Sequence, residues 1–278
     1  MVLEKIYKPD FLKNHPAYAL LMGITYSLLG IIVALVMFPS DPALIAVGIT
    51  TLLLLPEFAK LSVIEEKIEL MEKHFGHFLW SQRNFYKIYL YMFAGVFITF
   101  VVLSLFLPSL AANYMFKTQI NVISGHATFT LPLFKSLITN NLYVLGLCFI
   151  IALIMGAGAV FLVVWNASVW GTIFGTLAKS AALTTGKNQI IIFILILLSV
   201  LPHMFLEISS YIWAAISGNL LSEGIVNGQA RHHIKKIIWY NLVLLIIAIV
   251  ILIIGMAVET YVLGNFETYA TIIDLAFK

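Results

Sequence analysis

Apolar runs of about twenty residues, the length a helix needs to cross a bilayer, alternate along the chain with short polar breaks. The first spans Ala17 to Phe38 and stops at Pro39-Ser40-Asp41-Pro42. The second spans Ala43 to Phe58, with Pro56 near its end. So short a turn between two long apolar helices predicts an antiparallel hairpin. From Glu57 to Lys87 the pattern changes. Glu65, Glu66, Lys67, Glu69, Glu72 and Lys73 share the segment with Leu61, Ile64, Ile68 and Met71 at helical spacing. This predicts an amphipathic helix on the membrane surface, either a solvated connector or a partner-docking element. The third span, Ile88 to Leu107, ends at Pro108, and Ser109 to Asn140 reads as an outer segment. Within it, Ala127 to Leu137 is apolar but too short to cross, as an interfacial or re-entrant helix would be.

The fourth span starts near Asn141 and reaches Trp165, with Cys148, Ala152, Gly156 and Ala159 on one face. Small residues at that spacing admit a neighbouring helix closely. Lys179 and Lys187, around Thr184-Thr185-Gly186, mark a cytoplasmic loop. The stretch from Asn188 to Leu221 would be roughly 50 Å long as one helix, and Pro202 lies inside it. Two readings fit: a hairpin turning at Pro202, or one kinked helix that protrudes. The basic cluster Arg231, His232, His233, Lys235 and Lys236 favours the hairpin, which returns it to the cytoplasm. A last span, Ile237 to Val258, leads to a tail with Glu259, Glu267 and Asp274 on the outer side.

The expected fold is an all-α, polytopic membrane bundle of six or seven segments, with a broken or re-entrant pair near Pro202 and an amphipathic cytoplasmic helix. It reads as one membrane domain: N-terminal spans over 1–108, a central region over 120–225, and a C-terminal span and tail over 226–278.

Composition agrees. The chain is 62% hydrophobic and 10% charged, against about 25% charged in soluble domains. A net charge of +3 argues for no nucleic-acid partner and fits orientation in a cell membrane with the N-terminus, bearing Lys5, Lys8 and Lys13, in the cytoplasm. With Cys148 alone, no intrachain disulfide forms. No cleaved signal peptide is read at the N-terminus.

The chemistry that stands out is Pro202-His203-Met204-Phe205-Leu206-Glu207. An imidazole and a carboxylate four residues apart share a helix face. A charge at mid-bilayer costs about 2.5–3.5 kcal/mol on insertion scales, so such groups face protein or water. On a helix, His203, Glu207, Ser210, Ala214, Ser217 and Gly218 form one stripe, and Phe205, Ile208, Ile212, Ile216 and Leu220 the lipid-facing opposite. His203 and Glu207 fit a structural pair, a proton or ion relay, or half of a metal site. Zinc needs four ligands, or three and water, so a twofold dimer would have to supply the rest. Asn141 is the obvious third member. Asn166 lies roughly 37 Å from Asn141 along a straight helix, so it joins the site only if Gly156 or Gly158 breaks that helix. No His-Glu-x-x-His, Gly-x-Ser-x-Gly or nucleotide-binding glycine loop is present.

Three elements between Lys135 and Glu223 resemble the stage II sporulation protein M family. They are Asn140-Asn141 opening a helix that leads to Gly156-Ala157-Gly158, Asn166 ahead of Gly171, and Pro202-His203 with Glu207, Ala214 and Gly218. Ala167 and Met204 stand where the family usually has glycine. The family comprises prokaryotic multi-span membrane proteins, and its sporulation member looks like a membrane scaffold for cell-wall hydrolases during engulfment. The resemblance implies the fold and a role for His203 and Glu207. The expected function is a non-enzymatic scaffold or membrane-complex component, acting as a homodimer. A transporter or channel using His203 and Glu207, and a metal-dependent membrane enzyme, are the alternatives.

Overall fold

The computed structural model describes residues 9–39, 42–120, 131–226 and 233–265. Among these, every regular element is helical: α1 (Pro9–Asn14), α2 (Tyr18–Met37), α3 (Pro42–Met71), α4 (Phe75–Ser81), α5 (Arg83–Phe106), α6 (Ser109–Met115), α7 (Lys117–Ile120), α8 (Leu131–Met155), α9 (Val160–Thr185), α10 (Gln189–Val226) and α11 (Ile234–Asn265). A single 3-10 turn, Gly156–Ala159, separates α8 from α9. Six stretches are long and apolar enough to cross a membrane, and one of them, Leu137–Thr185, runs from within α8 to the end of α9.

Helix α10 occupies the centre. It packs against α11, α8, α9, α5 and α3. Its neighbours can approach because small residues lie at the crossings. A Cβ on Gly218 would strike the Phe149 carbonyl and sit 2.8 Å from Ala152 Cβ, both on α8. The small face of the fourth span, Cys148 and Ala152, is therefore the face that receives α10, and both residues are fully buried. On the other side of the bundle, Gly23 of α2 and Gly95 of α5 meet at a second close crossing.

The contacts also fix direction. Asn141 lies level with Tyr211, Phe149 with Gly218, and Gly156 with Asn219 and Glu223, so α8 and α10 run parallel. Helix α9 begins beside that last level and ends three residues short of the start of α10. The chain therefore reverses at Gly156–Ala159. Gly156 has φ +57°, a left-handed conformation that glycine adopts without a Cβ penalty.

This reversal corrects the hairpin expected at Pro202. Helix α10 runs unbroken through Pro202 for 38 residues. A proline removes one backbone hydrogen bond from a helix, and α10 continues past it without that bond. The break belongs at Gly156, and with α9 running back, Lys179 and Lys187 lie at the same end of the bundle as Leu107. The Lys179 ammonium donates to the Leu107 carbonyl. They are not at the end that carries Lys13, Lys73 and Lys236, where a cytoplasmic loop was expected.

Three further expectations change. Pro56 does not end the second span, because α3 continues to Met71. The Glu57–Lys87 segment is not a separate surface helix: its first half is the end of α3, with Glu57, Glu65, Glu66 and Glu69 all buried. Helix α3 thus turns its acidic stripe inward, and Met71 is left exposed. Ile208, Ile212, Ile216 and Leu220 do not face lipid but are buried, since α10 is surrounded there; Phe205 alone of that set is exposed. Of the proposed interfacial helix at Ala127–Leu137, residues 131–137 are the first turns of α8. Its remainder, with Arg231, His232, Glu267 and Asp274, lies outside the described residues.

Candidate functional site

One helical turn apart on α10, Glu207 and Tyr211 point from the core-facing stripe toward the start of α8. The Tyr211 hydroxyl lies 2.7 Å from Asn141 Oδ1 and 2.9 Å from Glu207 Oε1. Asn141 Nδ2 in turn donates to the Met256 sulfur of α11 at 2.8 Å. Glu259, one turn beyond Met256, is within electrostatic reach of Glu207. Three helices thus converge on one buried polar chain. Helix α11 lies close against this turn of α10: a Cβ on Gly255 would be 3.1 Å from Leu206 Cβ and 3.7 Å from the His203 carbonyl.

The residues expected from the sequence are sorted by this geometry. Glu207 and Asn141 are brought together through Tyr211. His203 is buried one turn away, its Nδ1 without a hydrogen-bond partner, and no bond joins it to Glu207. Ser210 donates to the Glu207 carbonyl of its own helix at 2.6 Å, so it caps backbone and leaves the carboxyl alone. Asn166 donates to Leu162 O at 2.8 Å within α9, although the helix between it and Asn141 does break at Gly156. Tyr211, Met256 and Glu259 were not anticipated. Tyr211 was readable as the i+4 neighbour of Glu207. Glu259 was assigned to an outer tail, whereas α11 extends past it to Asn265.

Among the described residues, no three His, Cys, Asp or Glu side chains gather as a metal ion requires. Among those residues, the pair His203 and Glu207 therefore lacks further zinc ligands. A cavity of about 540 Å³ at the Lys179 end, lined by Phe106, Leu183, Lys187, Asn188 and Ile190 among others, is walled by none of the site residues.

A second polar layer lies about 18 Å further along α10, twelve residues on at 1.5 Å each. Asn219 Nδ2 donates to Ser62 Oγ of α3 at 2.6 Å, and Ser217 Oγ donates to the Asn241 carbonyl of α11 at 2.7 Å. Asn241 Nδ2 donates to Glu69 Oε1 at 2.8 Å. Lys13 of α1 pairs with Glu65 at 2.8 Å. Lys236 donates to the Leu70 and Glu72 carbonyls at the end of α3, where a cation meets the negative end of the helix dipole. Each of these groups joins one helix to another.

No curated protein and no solved structure matches the chain. A family model described as stage II sporulation protein M matches residues 88–262. That match runs from α5 through α11 and contains Asn141, Tyr211, Glu207 and Glu259 together. Covering more than half of the length, it establishes that the chain belongs to the stage II sporulation protein M family.

Proposed function

We propose that the chain is a non-enzymatic scaffold of a membrane complex, set in the cell membrane with its N-terminus in the cytoplasm. One observation carries this reading. The buried polar side chains are used to tie helices together: Tyr211 joins α10 to α8, Asn219 joins α10 to α3, and Asn241 joins α11 to α3. A bundle cross-linked at two levels supplies a stiff platform whose apolar exterior, including Leu198 and Trp239, is open to lipid or to membrane partners. The cations Lys13, Lys67, Lys73, Arg83, Lys87, Lys235 and Lys236 at one end of the bundle support that orientation.

The test is photo-crosslinking in native membranes from Leu198 and Trp239, together with flux measurements on the purified chain in liposomes. The scaffold reading expects discrete protein adducts, kept in Glu207→Gln, and no flux of protons or cations. Two differently tagged copies in the same experiment test the homodimer. A second reading, a transporter with Glu207 and His203 on its path, is favoured by a mid-helix acid that no Lys or Arg pairs with among the described residues. Flux abolished by Glu207→Gln would replace the first reading with the second.

A further inference from the structure

The Tyr211 hydroxyl has one hydrogen and stands between two oxygens, Asn141 Oδ1 at 2.7 Å and Glu207 Oε1 at 2.9 Å. Both separations are those of ordinary O–H···O hydrogen bonds. The orientation of Asn141 decides where that hydrogen goes. Its other terminal atom lies 2.8 Å from the Met256 sulfur. A nitrogen there donates to the thioether, a weak acceptor. An oxygen there would face a sulfur with no hydrogen between them. The amide oxygen therefore faces Tyr211 and must accept, which commits the tyrosine hydrogen to Asn141. The hydrogen between Tyr211 and Glu207 then has one remaining source, the carboxyl itself.

We propose that Glu207 is a resident proton-binding site, a neutral carboxylic acid whose O–H donates to Tyr211 while Tyr211 donates to Asn141. The surroundings agree from every side. On α10 the facing groups are His203 and Tyr211. From α8 come Asn141 and, next to Tyr211, Cys148. From α11 come Met256 and a second acid, Glu259. No cation pairs with Glu207 among these. Two carboxyls within reach of one another in a water-poor interior do not both ionise, and a buried acid without a cation keeps its proton. The inference holds for a scaffold and for a transporter alike: in the first the proton is a fixed structural component, in the second the cargo.

Infrared spectroscopy of the full chain in lipid at neutral pH tests it. The expected spectrum contains the carbonyl stretch of a protonated carboxyl, shifted by deuterium exchange and by ¹³C-labelled glutamate. The labelling assigns the band to glutamate in the unaltered protein. Glu207→Gln removes one component of that absorption, Glu259→Gln leaves that component, and Tyr211→Phe keeps it but moves it upward in frequency as its hydrogen-bond partner is lost. The absence of such a band in the wild-type chain overturns the proposal, since Glu207 would then be a charged carboxylate sharing the tyrosine hydrogen. A protonated-carboxyl absorption that Glu207→Gln leaves unchanged also overturns it.

Discussion

Asn241 on α11 donates to Glu69 on α3 across 2.8 Å, and both residues are fully buried. The partnership links the helix that ends the family-matched region to one that precedes it. Glu69 accepts no second hydrogen bond at its other oxygen, so Asn241 is its principal side-chain donor. Replacing Asn241 with Ala leaves the buried Glu69 carboxyl without that donor. The expected cost is about 1–3 kcal/mol, the range for a buried polar group left unsatisfied. Reversible unfolding in mixed micelles measures it. Adding Glu69→Leu to Asn241→Ala restores part of the loss, because the stranded acid is then gone.

Close helix crossings give a second expectation. Gly218→Ala places a methyl against the Phe149 carbonyl, with Ala152 Cβ 2.8 Å away, and neither backbone nor Cβ can swing aside. Overpacking of this kind costs about 1–3 kcal/mol. Gly48 provides the control, since a Cβ there meets nothing within 4 Å. Gly48→Ala is expected to be neutral or to stabilise by up to about 1 kcal/mol through helix propensity. The same unfolding assay on the two variants checks the contrast.

The turn at Gly156 makes a third. Its φ of +57° is open to glycine and tolerable for asparagine. Gly156→Ala costs roughly 1–2 kcal/mol, and Gly156→Asn costs less. A substitution series that ranks Ala as stable as Gly would contradict the left-handed turn.

These three sites also show what the chain made legible before any coordinates. Apolar runs were legible because bilayer thickness sets their length, and the His203–Glu207 spacing because helical period is fixed. The small face at Cys148 and Ala152 correctly marked where a helix would approach. The sign of the α3 stripe was not legible. Charge at helical spacing reads as solvated, and nothing local reveals that Lys13, Asn219 and Asn241 wait on the inner side. The location of the break was not legible either. Pro202 carries the stronger local signal, yet α10 continues through it, while Gly156 breaks the preceding helix with a weaker one. Glu259 was overlooked because its partner lies fifty-two residues earlier, in a contact that only the α10–α11 pairing creates.

The reversal at Gly156 has a consequence for topology that can be read without unfolding anything. Asn84 of α5 reaches the Lys13 carbonyl at 3.1 Å, and Lys13 pairs with Glu65, so the start of α5 and the end of α3 share one end of the bundle. The other end of α5, Leu107, receives Lys179. Lys73 and Lys187 are both exposed, and they belong to opposite ends. Single-cysteine labelling tests this directly, in a background where the native Cys148 is replaced by Ser. An impermeant maleimide applied to sealed vesicles of one orientation is expected to label Lys73→Cys or Lys187→Cys, but not both, and to label the other only after the vesicles are opened. Labelling of both from the same side would return the turn to Pro202 and place α9 across the membrane in the opposite sense. The expectation is independent of function, because it depends only on which way the chain runs between Gly156 and Thr185.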